Sequence, residues 1–263
     1  MTDFTTIPLK AAAPLPRRQW LKSTLLSGTG VSVAAALSVP LQACGGTDSR
    51  EDESMKGFPD FFNQAPVMRV RDRLAEFLGA AEGGVMGYHY VDAVRLAGHS
   101  CPTVAGAYLM TVKGMRALYA SEMPERGNIE VLMSNGREEG VTGVIASVAT
   151  LLTGAAAETG FPGMGAAGRF SRKNLLSYDH PLEADLALRR RDTGRAVRVK
   201  LDASIAPWPQ EMRELMPRAV SGQASAQELA RFAQLWQARV KAMLIDHVDD
   251  PRLVQVSEWQ PPA

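Results

Sequence analysis

Apolar residues recur at helical spacing in five stretches of the chain. Phe61, Phe62, Val67, Val70, Leu74, Phe77 and Leu78 predict a helix over residues 58–79, followed by a glycine-containing break over 80–84. Val91, Val94 and Leu96 predict a short helix over 90–97, with Gly98 just past its end. Val104, Tyr108, Leu109, Val112, Met115, Leu118 and Tyr119 predict a helix over 102–121, opened by Pro102 at its first position. Small apolar residues at helical spacing predict a helix over 139–153, and Leu229, Phe232, Leu235, Trp236, Val240, Met243 and Leu244 mark a long amphipathic helix over 224–247. The core is expected to rest on the four long apolar helices.

Elsewhere the period changes to two. Residues 129–133 form an apolar run bounded by Gly127 and by Ser134-Asn135-Gly136, the mark of a strand. Leu182, Ala184, Leu186 and Leu188 alternate with other residues and predict a second strand; 196–201 is a third, joined to it through a hairpin at Asp192-Thr193-Gly194. The Gly- and Ala-rich stretch 154–168 reads as loop. Helices and strands are mixed without a repeated strand–helix–strand rhythm, so the expected class is α+β.

The first forty-odd residues have a different pattern. Pro16-Arg17-Arg18-Gln19-Trp20-Leu21-Lys22 precedes an uncharged, small-residue stretch over 25–41. A basic region, a short apolar region and a small-residue end are the order of an export signal, and paired arginines point to the twin-arginine route. Gly28, Gly30 and Pro40 interrupt the stretch, and it falls short of the roughly 20 apolar residues that span a bilayer, so removal is expected. Leu41-Gln42-Ala43-Cys44-Gly45 resembles the lipobox of bacterial lipoproteins, with Gln42 as the departure. Two outcomes stay open: lipidation of Cys44, or plain cleavage nearby. The expected organisation is a signal over 1–43, a polar tether over 44–57 and one domain over 58–263. The expected place is the periplasm or the outer face of the cytoplasmic membrane, which the chain touches only through its signal or lipid anchor.

Composition is ordinary for a globular domain, with 46 % hydrophobic and 22 % charged residues. A net charge of +1 leaves no electrostatic footprint for nucleic acid. The cysteine count changes the picture more. Cys44 and Cys101 are the two cysteines of the chain. With Cys44 lipidated, Cys101 has no partner for an internal disulfide, and a leftover cysteine in an exported protein is a reactive thiol or a metal ligand.

His99 and Cys101 fall in the turn between two helices, and Cys101 caps the second. The free N–H groups and dipole at a helix start favour a thiolate. A thiolate beside an imidazole suits zinc, and the same pair suits nucleophilic catalysis. Spacing alone leaves a local structural role equally open. His89 precedes the short helix that leads to His99 and is a further ligand candidate; packing beside Tyr88 and Tyr90 is its alternative role. His180 reads as a turn residue, Glu138 and Glu139 as site lining or helix start, and His247 as a helix-end cation.

Gly98-His99-Ser100-Cys101-Pro102, followed by Gly106, resembles the G-H-x-C-P motif of the FmdE family, named after one of the subunits of molybdenum formylmethanofuran dehydrogenase. Thr153-Gly154 resembles the end of that family's central helix, Asn174-Leu175 lies in a similar segment over 168–176, and Leu235-Trp236 with Val240-Lys241 resembles its closing helix. The similarity runs over about residues 58–248. It implies an α+β domain with a mixed or antiparallel sheet packed by helices, often dimeric, with a metal site at His99 and Cys101. The chain lacks the second cysteine that many members carry before the central helix, having Ser134-Asn135-Gly136-Arg137-Glu138-Glu139 there, and it lacks a C-terminal cysteine-rich zinc ribbon. The cofactor expected is therefore zinc or another divalent metal, completed by His89, carboxylate or water. The partners expected are that metal ion, a small-molecule ligand and a second copy of the chain. The rival expectations are a thiol-dependent enzyme using Cys101 with a histidine partner, and a structural dimeric module.

Overall fold

The computed structural model of the chain describes residues 55–260. The expected signal over 1–43 and Cys44 lie outside the described residues. After a short 3-10 turn over Asp60–Gln64 come β1 (Met68–Asp72), α1 (Arg73–Phe77), β2 (Val85–Tyr88), α2 (Tyr90–Ala97) and α3 (Pro102–Tyr119). Then follow β3 (Glu125–Arg126), β4 (Ile129–Met133), α4 (Thr142–Thr153), β5 (Leu176–Ser177), β6 (Leu186–Arg190) and β7 (Ala196–Leu201). The chain closes with α5 (Gln210–Val220), α6 (Ala226–Lys241), a π-helical turn over Ala242–Asp246 and β8 (Val254–Trp259). The fold is α+β, as expected.

The strands form two mixed sheets. The smaller has the order β2-β1-β3, with β1 antiparallel to β2 and parallel to β3. The larger has the order β5-β4-β6-β7-β8, antiparallel except where β5 runs parallel to β4. The hairpin at Asp192-Thr193-Gly194 joins β6 to β7 as read from the sequence, with Leu186 opposite Val199 and Arg189 opposite Ala196.

Helix α3 is the centre of the core. Every residue from Val104 to Val112 is buried, the signature of a helix covered on all sides. Two glycines let it lie close on the larger sheet. A Cβ at Gly106 would collide with Leu201 of β7, and one at Gly114 would come within 2.7 Å of Leu188 on β6. The core is thus helix α3 with both the larger sheet and helix α4 packed on it, and not, as expected, four helices alone.

The helix expected over 58–79 does not form. Pro66 stops it, and from Met68 to Asp72 burial alternates strictly in and out, so these residues are β1. Asp72 then ends the strand and caps α1, its Oδ1 accepting from the backbone N–H groups of Leu74 (2.9 Å) and Ala75 (3.2 Å). Leu182 and Ala184 precede β6, which begins at Leu186, and residues 210–220, 85–88 and 254–259 are elements beyond those expected. Among the described residues no helix is long and apolar enough to cross a membrane.

Candidate functional site

Helix α2 ends at Gly98, whose φ of 74° turns the chain sharply. A residue without Cβ adopts that left-handed conformation at least cost. His99 and Ser100 make the turn, and Cys101 opens α3 in an extended conformation. Its Sγ accepts from the backbone N–H of Val104 at 3.4 Å, the role an oxygen plays at most helix starts. Cys101 is 8 % exposed, whereas the His99 ring is exposed and its Nδ1 lies 2.9 Å from the carbonyl oxygen of Ala97. That contact fixes Nδ1 as the protonated nitrogen and leaves Nε2 as the free acceptor in the neutral ring.

The turn is held from the far end of the chain. Trp236 Nε1 on α6 donates to the Ser100 carbonyl at 2.9 Å, and Gln237 Nε2 donates to the same oxygen at 3.2 Å. Ser100 Oγ donates to Gln237 Oε1 (3.0 Å) and lies 2.9 Å from the Tyr90 hydroxyl. Burial pushes the Tyr90 phenol well above its ordinary value, so it remains a neutral hydrogen-bonding group. The middle residue of the H-x-C turn is therefore the one tied to α6.

His99 and Cys101 both line one cavity of about 470 Å³, together with Ile145, Asp185, Leu201, Trp208, Trp236 and Arg239. Asp185 is a carboxylate that sequence reasoning missed. Its Oδ2 accepts from the Leu201 backbone N–H at 2.7 Å. Arg239 is 7 % exposed; its Nε donates to the Ala206 carbonyl at 2.7 Å and its Cζ lies 4.2 Å from the Trp208 ring centroid. Burial lowers the affinity of Arg239 for its proton relative to a free guanidinium. Among the described residues it has no carboxylate partner.

The other sequence candidates lie elsewhere. His89 is the residue before α2, where its backbone N–H is bound at 2.8 Å by Asp92, and it does not line the cavity. His180 pairs through Nε2 with Ser177 Oγ at 2.7 Å, the turn role read from the sequence. Glu138 and Glu139 are exposed, and Glu139 accepts from the Gly136 N–H at 3.3 Å, as a residue at the start of a turn does. His247 follows the π-helical turn. Among the described residues no three His, Cys, Asp or Glu side chains are gathered closely enough to hold a metal ion. A closed structural metal site, which takes four protein ligands, is thus not built from these side chains among the described residues.

No curated protein matches the chain. A solved structure of a tungsten formylmethanofuran dehydrogenase FmdE-like protein from Syntrophus aciditrophicus is similar at 16 % identity and a TM-score of 0.31. That similarity covers 66 % of this chain and 74 % of the other. The family model "FmdE, Molybdenum formylmethanofuran dehydrogenase operon" matches residues 96–250. That match begins just before the His99–Cys101 turn, continues beyond the α6 residues that hold it and spans more than half of the chain, which accordingly belongs to the FmdE family.

Proposed function

We propose that this is an exported protein that binds a divalent cation, zinc first, at His99 and Cys101. The site is open, its remaining positions filled by water or by a small-molecule ligand. The observation that carries this reading is that the two soft donors line one cavity, Cys101 at its buried part and His99 at its exposed part. Imidazole nitrogen and thiolate sulfur are the donor pair that zinc takes together. A metal bound there supplies Lewis acidity to the ligand it holds. The chain's own residues do the rest. The Val104 N–H at the start of α3 bonds the Cys101 sulfur, and Asp185 adds a carboxylate to the cavity wall. Ile145, Leu201, Trp208 and Trp236 keep water from the apolar side. Few protein donors hold a metal loosely, which suits metal handling or support of a redox system better than a structural role.

Export and anchoring are part of the same proposal. They rest on the Arg17-Arg18 signal and on the Leu41-Gln42-Ala43-Cys44 sequence, and they place the protein in the periplasm or on the outer face of the cytoplasmic membrane. A homodimer is inferred from the family resemblance and the small-residue run over 140–168.

Arg239 supports a second reading. A buried guanidinium with no carboxylate partner among the described residues, in the same cavity as Cys101, suits a metal-free thiolate acting on an anionic small substrate. Metal analysis of the purified protein separates the two. The first reading expects about one zinc per chain, falling close to zero in Cys101→Ser with unchanged circular dichroism. Full metal occupancy in that variant would overturn it. A metal-free wild type that loses a turnover when Cys101 is alkylated would establish the second.

A further inference from the structure

A second cavity, of about 280 Å³, shares no lining residue with the first. Four arginines line it, Arg73, Arg126, Arg172 and Arg191, with Glu125 as the one acidic residue in its wall. Behind the wall, buried Asp72 accepts from Arg172 Nη2 at 2.6 Å and from Arg126 Nη1 at 2.8 Å. Arg73 Nε pairs with Glu125 at 2.7 Å. Four positive and two negative side chains leave an excess of two positive charges. Among the described residues the Arg191 side chain has no protein acceptor, and Asp72 is the only acceptor of the Arg172 guanidinium.

The arginines nearest Asp72 are fixed in place. The Arg172 guanidinium lies across Gly127 in the space a Cβ would fill, at a residue whose φ is 87°. Arg126 lies against Gly154, where a Cβ would stand 3.2 Å from Nη1, and its Nε donates to the Leu151 carbonyl at 3.2 Å. Gly127 is itself tied to the end of α4 by its N–H bond to the Thr153 carbonyl at 2.7 Å. Uncompensated positive charge in a partly buried site is costly, and two guanidiniums sharing one buried carboxylate leave such charge at the cavity wall. A planar guanidinium presents paired N–H donors that match the oxygens of a tetrahedral or planar oxyanion.

We propose that this cavity binds a doubly charged oxyanion, a phosphate group carried by a small molecule or by a lipid headgroup. Two negative charges cancel the excess, and the cavity has room for a phosphate with a small substituent. The proposal does not depend on a metal at His99 and Cys101.

The test is calorimetric titration of the purified protein with inorganic phosphate, joined to co-sedimentation with phosphatidylcholine vesicles with and without phosphatidic acid. Arg191→Glu changes an exposed side chain and leaves the buried pairs in place, so it tests the site without unfolding it. Arg213→Glu makes the same charge change on α5, outside this cavity's wall. The proposal expects phosphate binding that weakens with added salt and that Arg191→Glu weakens by about tenfold or more, while Arg213→Glu leaves it unchanged. Binding in free solution identifies a soluble ligand. Retention only on phosphatidic acid vesicles, reversed by Arg191→Glu, identifies a headgroup. Neither phosphate binding nor vesicle retention in the wild type, or an equal loss in both variants, would overturn it.

Discussion

The indole Nε1 of Trp236 donates to the carbonyl oxygen of Ser100 at 2.9 Å, across 136 residues of sequence. This bond ties α6 to the turn that presents His99 and Cys101. Trp236→Phe keeps most of the apolar volume and removes the donor, leaving Gln237 Nε2 as the remaining partner of that oxygen. We expect a stability loss of about 1 kcal/mol. The turn should also loosen, with a larger relative loss in metal affinity than in stability. Urea unfolding and competition with a chelator measure the two effects, and unchanged metal affinity would show that α6 has no hold on the site.

Asp72 should govern acid stability. Burial pushes its carboxyl up, but the Arg126 hydrogen bond, the Arg172 charge and the Ala75 N–H together pull it below the ordinary value of 3.8. Its folded-state value is thus lower than its unfolded-state value. The contribution is complete above about 3.8 and is lost as pH falls through the lower folded-state value. Asp72→Asn should destabilise the protein by about 3–5 kcal/mol at neutral pH, since two guanidiniums lose their counter-charge. The gap between variant and wild type should narrow as the pH is lowered below about 3.8. Thermal unfolding across that range is the measurement, and a gap independent of pH would refute the assignment.

Gly127→Ala should be more damaging than a single methyl suggests. The new Cβ overlaps the Arg172 guanidinium, and φ at this position is 87°. A left-handed non-glycine residue and a displaced buried ion pair together should cost about 3 kcal/mol or more. Arg172→Lys in the same background should recover part of that loss in a thermal melt, because the shorter head group clears the methyl. No recovery would locate the cost in the backbone alone.

The amino terminus of exported protein should lack residues 1–43. Intact mass and lipid-specific labelling separate lipidated Cys44 from plain cleavage. Protein recovered outside the cytoplasm with Met1 intact would refute the export reading.

Much of the fold was legible where one periodicity held alone. Helix α3 and its proline start, Gly98 at the end of α2, and the β6–β7 hairpin all followed from local pattern. The stretch over 58–79 misled because aromatic pairs and Val67, Val70 and Leu74 fit a helical period while Pro66 and the in–out alternation of Met68–Asp72 obey a stronger local rule. Strand β8 carried its signal in Val254 and Val256, but its pairing with β7 joins residues far apart in sequence, such as Ala196 and Trp259. Of the cavity lining, His99 and Cys101 were paired in the sequence because they are neighbours in it. Asp185 and Arg239 were not, because they reach the cavity only through the packing of α6 and the start of β6 around α3. His89 was close in sequence yet belongs to the start of α2, one helix away from the turn.

X-ray absorption at the zinc edge of the purified protein reads whether one sulfur and one imidazole of this chain hold a metal. A sulfur scatterer at about 2.3 Å and nitrogen or oxygen scatterers at about 2.0–2.1 Å are expected. The sulfur shell should vanish in Cys101→Ser and persist in His89→Ala. A shell of nitrogen and oxygen alone in the wild type, or a sulfur shell that survives in Cys101→Ser, would contradict the proposed site.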